Sequence, residues 1–179
     1  MAKNDNLTDF LTDVANAIRT KKGTTNLINP QDFSSEIESI ETGGGENKLP
    51  QVADKTVIEI TSEDLNGATK IGNYLFQNCT ALTSAVIPNS VTSIGSGAFQ
   101  MCALTDIIIP SNVTEIKSNA FFGCSKMTTM TLLPTTPPTL ASTSSIPSNV
   151  TKIEVPADSL TAYQTATNWS NFADKMVGV

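Results

Sequence analysis

TKIGNYLFQNCTALTSAVIPNSV (Thr69–Val91), TSIGSGAFQMCALTDIIIPSNV (Thr92–Val113) and TEIKSNAFFGCSKMTTMTLLP (Thr114–Pro134) are variants of one another. Their landmarks advance in step. Ile71, Ile94 and Ile116 are spaced by 23 and 22 residues, as are Phe76, Phe99 and Phe121, and Cys79, Cys102 and Cys124. A fixed apolar skeleton with a period of about 20–29 residues marks a solenoid of short strands, each coil burying what it cannot bury alone. The columns Ile71/Ile94/Ile116, Phe76/Phe99/Phe121, Cys79/Cys102/Cys124 and Leu82/Leu104/Met127 are therefore expected to point inward. Such proteins rarely carry out covalent chemistry; they stack strands into a surface, and the surface binds.

Outward from that core, each repeat holds two extended pieces. One is Val-Thr-x-Ile, as at Val91–Ile94 and Val113–Ile116. The other ends at proline, as at Ala85–Pro88 and Ile107–Pro110, where no ladder donor is needed. A turn or short helix carrying Ala-Phe and Cys lies between them. Upstream, Thr56–Ile60 (TVIEI) reads as an opening strand. Downstream, Pro134–Pro147 reads as an irregular loop. Val150–Pro156 then repeats the pattern of Leu104–Pro110. Asp158 is a plausible cap for a terminal helix over Leu160, Tyr163, Ala166 and Trp169, which would cover the open end of the solenoid.

Period-two alternation assigns the strand faces. Ile58, Ala85, Ile107, Met130 and Ile153 are expected to face in, with Ile60, Ile87, Ile109, Leu132 and Val155. The outward rows are then Val57/Ser84/Asp106/Thr129/Lys152 and Glu59/Val86/Ile108/Thr131/Glu154. Val86 and Ile108 place two β-branched apolar side chains on an otherwise polar face. The candidate binding face is Ser84, Val86, Asp106, Ile108, Thr129, Thr131, Lys152 and Glu154. Ordinary strand propensity also explains exposed valine and isoleucine, so a bystander face and a packing face between chains stay open.

Before the repeats, the first 40 residues have helical spacing. Leu7, Phe10, Leu11, Val14 and Ile18 form one stripe; Asn6 caps it and Gly23 ends it. A second helix opens at Asn29-Pro30 and carries Phe33, Ile37 and Ile40. Two helices of this size bury too little surface to stand alone. Gly43–Gly45 and a polar stretch tether them to the rest. The reading is a helical anchoring or oligomerisation module at 1–42, a Gly-rich linker at 43–54 and a solenoid with a C-terminal cap at 55–179. The fold class is α+β.

Composition excludes several functions. Of 179 residues, none is histidine, which removes histidine bases, histidine-dependent nucleophile systems and most zinc sites. The three cysteines recur at the repeat period, so they form a column instead of converging on a metal. No carboxylate pair of the glycosidase kind is visible among Glu59, Asp64 and Asp106. An enzyme, a cofactor and a catalytic site are accordingly not expected. The net charge of −6 argues against nucleic acid and anionic membrane. Apolar runs of three or four residues cannot span a bilayer. MAKNDNLTDF lacks the apolar core of a secretion signal, so any extracellular role needs another exit route.

The residues IGSGAF, the following Cys-x-Leu, and IIIPSNVTEI resemble the BspA-type leucine-rich repeats of bacterial surface proteins. VPADSLTAYQTATNWSNFADKM is similar to the end-cap that closes such arrays. VANAIRTKKGTTNLINPQDFSSEIESI resembles a helical segment of bacteriophage virion proteins, especially tail and fibre proteins, departing from it at Lys21-Lys22. The second resemblance implies a virion structural protein, a tail fibre, baseplate appendage or head fibre, with an N-terminal anchor and a presented repeat domain. It implies assembly in the host cytoplasm, exposure on the particle, other virion proteins as partners of the helices, a homotrimer, and a host-surface glycan or protein as receptor. A purely structural virion decoration or tail protein, and a BspA-like bacterial adhesin, are the alternatives.

Overall fold

The computed structural model describes residues 55–179. The helical module at 1–42, with its stripes Leu7/Phe10/Leu11/Val14/Ile18 and Phe33/Ile37/Ile40, and the linker at 43–54 lie outside the described residues.

Each coil crosses two parallel sheets. On one side β2 (Lys70–Ile71), β4 (Ser93–Ile94), β6 (Glu115–Ile116) and β8 (Thr139–Leu140) pair in sequence order. On the other, β1 (Glu59–Ile60) pairs with β3 (Ser84–Ala85), and β5 (Asp106–Ile109), β7 (Thr129–Leu132), β9 (Lys152–Val155) and β10 (Met176–Gly178) form a four-stranded sheet. Most strands are two residues long because turns close in on them from both ends. Each coil advances by one hydrogen-bonding step, so identical landmarks meet. Ile71 pairs with Ile94, and Ile94 with Ile116.

The turn between the two sheets contributes a third ladder. The N–H groups of Tyr74, Phe76 and Asn78 donate to the carbonyls of Ser96, Ala98 and Gln100, each at 2.8 Å. Gly97, Phe99 and Met101 donate in the same way to Ser118, Ala120 and Phe122 at 2.8–3.0 Å. The intervening N–H groups of Gln77 and Cys79 turn back to Tyr74 and Phe76 at 3.1 Å. Alternate amides thus point along the solenoid axis, which a run of ordinary helix would not allow.

The core forms as the repeat predicts. All four columns, from Ile71/Ile94/Ile116 to Leu82/Leu104/Met127, are buried. The phenylalanine rings stack, with centroids 5.1 Å apart for Phe76–Phe99 and 5.4 Å for Phe99–Phe121, the latter pair only 2° from parallel. The three cysteines are buried and form no disulfide among the described residues. Cys102 Sγ donates to Phe76 O and Cys124 Sγ to Phe99 O, each at 3.0 Å, so the column also ties coil to coil.

Three sequence readings need correction. Ile58 is 61% exposed and Val57 is buried, the reverse of the expected facing. Glu59 pairs with Ser84, and Thr83 N donates to Ile58 O. Val57 therefore takes the place of Leu82 and Leu104, and Glu59 belongs to the row of Ser84. The strand is only two residues long, so period-two alternation does not extend back to Val57. Second, Pro134–Pro147 is part of a coil. It contains β8, whose Leu140 pairs with Ile116, and a 3-10 turn at Thr143–Ser145 whose carbonyl at Ser145 accepts from Phe121 N at 3.1 Å. Third, the terminal helix is shorter than expected and has no side-chain cap from Asp158. A 3-10 turn at Ala157–Ser159 leads into α1 (Leu160–Thr165). Extended Ala166 and left-handed Asn168 (φ 65°) end that helix before a 3-10 segment at Trp169–Lys175.

This terminal assembly closes the solenoid by filling backbone acceptors. Trp169 Nε1 donates to Pro138 O at 2.7 Å, Tyr163 Oη to Pro134 O at 2.8 Å and Asn168 Nδ2 to Leu140 O at 2.7 Å. The Tyr163 and Trp169 rings meet edge to face at 5.6 Å. Burial pushes the Tyr163 hydroxyl well above its ordinary pKa, so it stays a donor. The chain then adds β10 beside β9, a strand the sequence did not announce.

Candidate functional site

The strands β3, β5, β7 and β9 place the eight candidate residues in two rows. Asp106, Thr129 and Lys152 pair across one row, and Ile108, Thr131 and Glu154 across the other. Ser84 on β3 and Val86, one residue past its end, hold the equivalent positions. Their neighbours Ile107, Met130 and Ile153, and Ile87, Ile109, Leu132 and Val155, are buried, so the alternation holds wherever the strand is long enough. Val86 and Ile108 are 52% and 55% exposed. The face is thus apolar at its first coils and polar at its last.

The polar end is mostly committed to itself. Lys152 Nζ lies 2.7 Å from Glu154 Oε1, and Thr131 Oγ1 donates to Glu154 Oε2 at 2.8 Å. The Lys152 hydrogen bond first, and the Thr131 hydroxyl second, hold the Glu154 carboxyl below its ordinary range. Asp106 Oδ2 accepts from Thr105 Oγ1 at 2.9 Å. The hydroxyl of Thr131 is therefore not free to donate to a ligand, whereas the side chains of Val86 and Ile108 are open.

A seam runs through the same face. No ladder joins β3 to β5 among the described residues. The second coil is short there: one residue, Ala103, separates Cys102 from Leu104, where two separate Cys79 from Leu82 and Cys124 from Met127. The shorter connection coincides with the missing ladder. Val86 and Ile108 stand on either side of that seam.

Sequence reasoning passed over the turn face. Tyr74, Met101 and Phe122 are 42%, 45% and 44% exposed there. The available signal was the column comparison: Tyr74 shares its place with Gly97 and Asn119, and Met101 shares its place with Asn78 and Gly123. Elsewhere, no group of three or more histidine, cysteine, aspartate or glutamate side chains able to hold a metal occurs among the described residues. No helix of the described residues is long and apolar enough to cross a membrane.

Residues 55–171 match the family model described as BspA type leucine rich repeat region (6 copies). A leucine-rich repeat protein from Bacteroides ovatus is similar at 18% identity over 62% of this chain, with a TM-score of 0.28. The match spans only 42% of that protein, and at that score the likeness carries no argument. Among curated proteins none matches the chain.

Proposed function

This chain belongs to the BspA-type leucine-rich repeat family, and we propose that it acts by attachment and not by catalysis, presenting its repeat domain to a surface receptor. The observation that carries this reading is the exposed pair Val86 and Ile108 at the β3–β5 seam. These side chains stabilise nothing in the core, and a flat strand face gives a partner a rigid contact that needs no reordering. The adjoining Ser84, Asp106 and Thr129 supply hydrogen-bonding groups at its border.

We place the protein on a bacteriophage particle, as a tail or head fibre anchored by its N-terminal helices. What supports this is the likeness of Val14–Ile40 to virion segments. Lysis would then be the route by which the protein leaves the cell. The helices would bind other virion proteins and trimerise the chain. A BspA-like bacterial surface adhesin is the second reading, favoured by the family match itself. Mass spectrometry of gradient-purified particles separates the two: the fibre reading requires the chain at stoichiometric copy number, and its absence from particles would leave the adhesin. Full-length protein should compete with host-cell attachment, and Val86→Ser/Ile108→Ser should not.

A further inference from the structure

We propose that the turn face carries a second binding site, for a neutral pyranose glycan, built from Tyr74, Gln77, Gln100, Met101 and Phe122. The site lies on a different side of each coil from Val86 and Ile108 and does not depend on where the protein is displayed.

The first argument compares each coil with the next. Two positions in each of the three repeats between Thr69 and Pro134 have left-handed backbone. Tyr74, Gly97 and Asn119 occupy one, at φ 56°, 58° and 60°. Asn78, Met101 and Gly123 occupy the other, at φ 62°, 60° and 74°. Glycine and asparagine suit that conformation, whereas a bulky residue there is an outlier. Backbone strain of this kind gathers at functional sites. The fold has an unstrained solution at both positions and uses it in adjacent coils. Tyr74 and Met101 are not retained for burial either, since each is nearly half exposed.

The second argument is geometric. Tyr74 rests on the following coil: a Cβ added to Gly97 would sit 2.4 Å from Tyr74 Cδ1. Met101 lies across Gly123 in the same way, 2.6 Å from Sδ to the added Cβ. Both side chains are therefore laid down on backbone with their other side in solvent. Beside the Tyr74 ring, Gln77 Nε2 donates to Gln100 Oε1 at 2.8 Å, and that oxygen is 3.1 Å from the same Gly97 Cβ position. The pair leaves the Gln77 carbonyl as acceptor and the Gln100 amino group as donor. Phe122 follows Gln100 in the same column, one coil on.

A half-exposed aromatic ring resting on backbone, beside an amide donor and an amide acceptor, suits the C–H face and hydroxyls of a pyranose, whose hydroxyls both donate and accept. The three columns Tyr74/Gly97/Asn119, Gln77/Gln100/Phe122 and Asn78/Met101/Gly123 contain no charged residue. An anionic ligand would find no counter-charge in them. A protein partner is disfavoured by size: three half-exposed side chains offer roughly 100 Å² each, against about 800 Å² per side in a specific protein interface.

The test uses the full-length chain and neutral hexaoses of gluco, manno and galacto configuration, read by saturation-transfer NMR at millimolar sugar. At least one hexaose should receive saturation on its ring C–H protons. Tyr74→Asn and Met101→Asn install the residue found at the equivalent place two coils on (Asn119) and one coil back (Asn78). Each should weaken that binding by about tenfold, the equivalent of one lost ring or thioether contact. Their melting temperatures should stay level or rise, because strain is relieved. Val86→Ser/Ile108→Ser should leave sugar binding intact, so this site and the strand face fail independently. No binding across the panel, unchanged affinity in Tyr74→Asn, a lowered melting temperature in both variants, or stronger binding of an acidic hexaose would each overturn the proposal.

Discussion

Phe99→Ala tests the stacked core most directly. Phe99 is fully buried, with Phe76 on one side at 5.1 Å and Phe121 on the other at 5.4 Å. Truncation removes the ring and leaves a cavity that two flanking backbones, fixed by the turn ladder, cannot collapse into. Buried phenylalanine to alanine costs about 3–5 kcal/mol, and each lost aromatic contact adds about 0.5–1.5 kcal/mol to what area alone predicts. The upper half of the first range is therefore expected, or a fall of roughly 15–20 °C in melting temperature for a domain of this size. Stability in a repeat array is a sum over coils and their interfaces. Phe76→Ala breaks one of the two ring contacts and Phe99→Ala breaks both, so Phe99→Ala should be the more damaging. Urea denaturation followed by far-UV circular dichroism and by Trp169 fluorescence checks this, since Trp169 reports the capped end. A Phe99→Ala transition matching the parent, or one less damaging than Phe76→Ala, would refute the stacking argument.

The cysteines should resist thiol reagents in the folded protein: burial pushes Cys124 up to about 11 and Cys102 higher still, so labelling at pH 8 should track unfolding and appear only with denaturant. Rapid labelling without denaturant would contradict the buried column. Glu154 has a depressed pKa in the fold, so its stabilising effect is present above the unfolded carboxylate pKa and is lost as pH falls through the folded value. Glu154→Gln should remove that part of the acid sensitivity, measured as melting temperature between about pH 6 and pH 3, and a parallel decline in parent and variant would refute the assignment. Trp169→Phe should loosen the cap by deleting the donor to Pro138 O while keeping an aromatic ring; earlier hydrogen exchange at β8 than in the parent is the expected signature, and unchanged exchange would show the bond to be dispensable.

What the sequence disclosed, and what it withheld, follows from how each feature is encoded. The columns of isoleucine, phenylalanine and cysteine were legible because one period repeats them, and one alignment of three segments fixes their facing. Val57 and Ile58 were misread because TVIEI looks like one alternating strand, whereas the chain is in register with Leu82-Thr83-Ser84-Ala85 and only its last two residues pair. The coil at Pro134–Pro147 was hidden because it lacks the Ala-Phe and Cys landmarks; only Leu140 and the Pro147–Val150 turn retain the pattern. β10 depends wholly on contacts with β9, which no local preference of Met176–Gly178 announces. The exposed rows from β5 to β9 were read correctly, but the commitment of Thr131 and Lys152 to Glu154 is a side-chain arrangement that spacing does not encode.

A repeat array supplies its own comparison, which bears on where binding is to be sought. Within one column the backbone, the neighbours and the hydrogen bonding are nearly constant, so a residue unlike its column-mates is explained by something outside the coil. By that criterion the two faces differ in strength. Val86 and Ile108 share a row with Thr131 and Glu154, and β-branched side chains suit any exposed strand, so their presence is compatible with ordinary propensity. Tyr74 and Met101 are disfavoured by their own backbone, and the residues that would relieve the strain stand one coil away. Exposure is similar on the two faces, but only on the turn face does the fold itself argue against the side chain that is there. That asymmetry makes the turn face the place where a loss of binding without a loss of stability is most sharply expected.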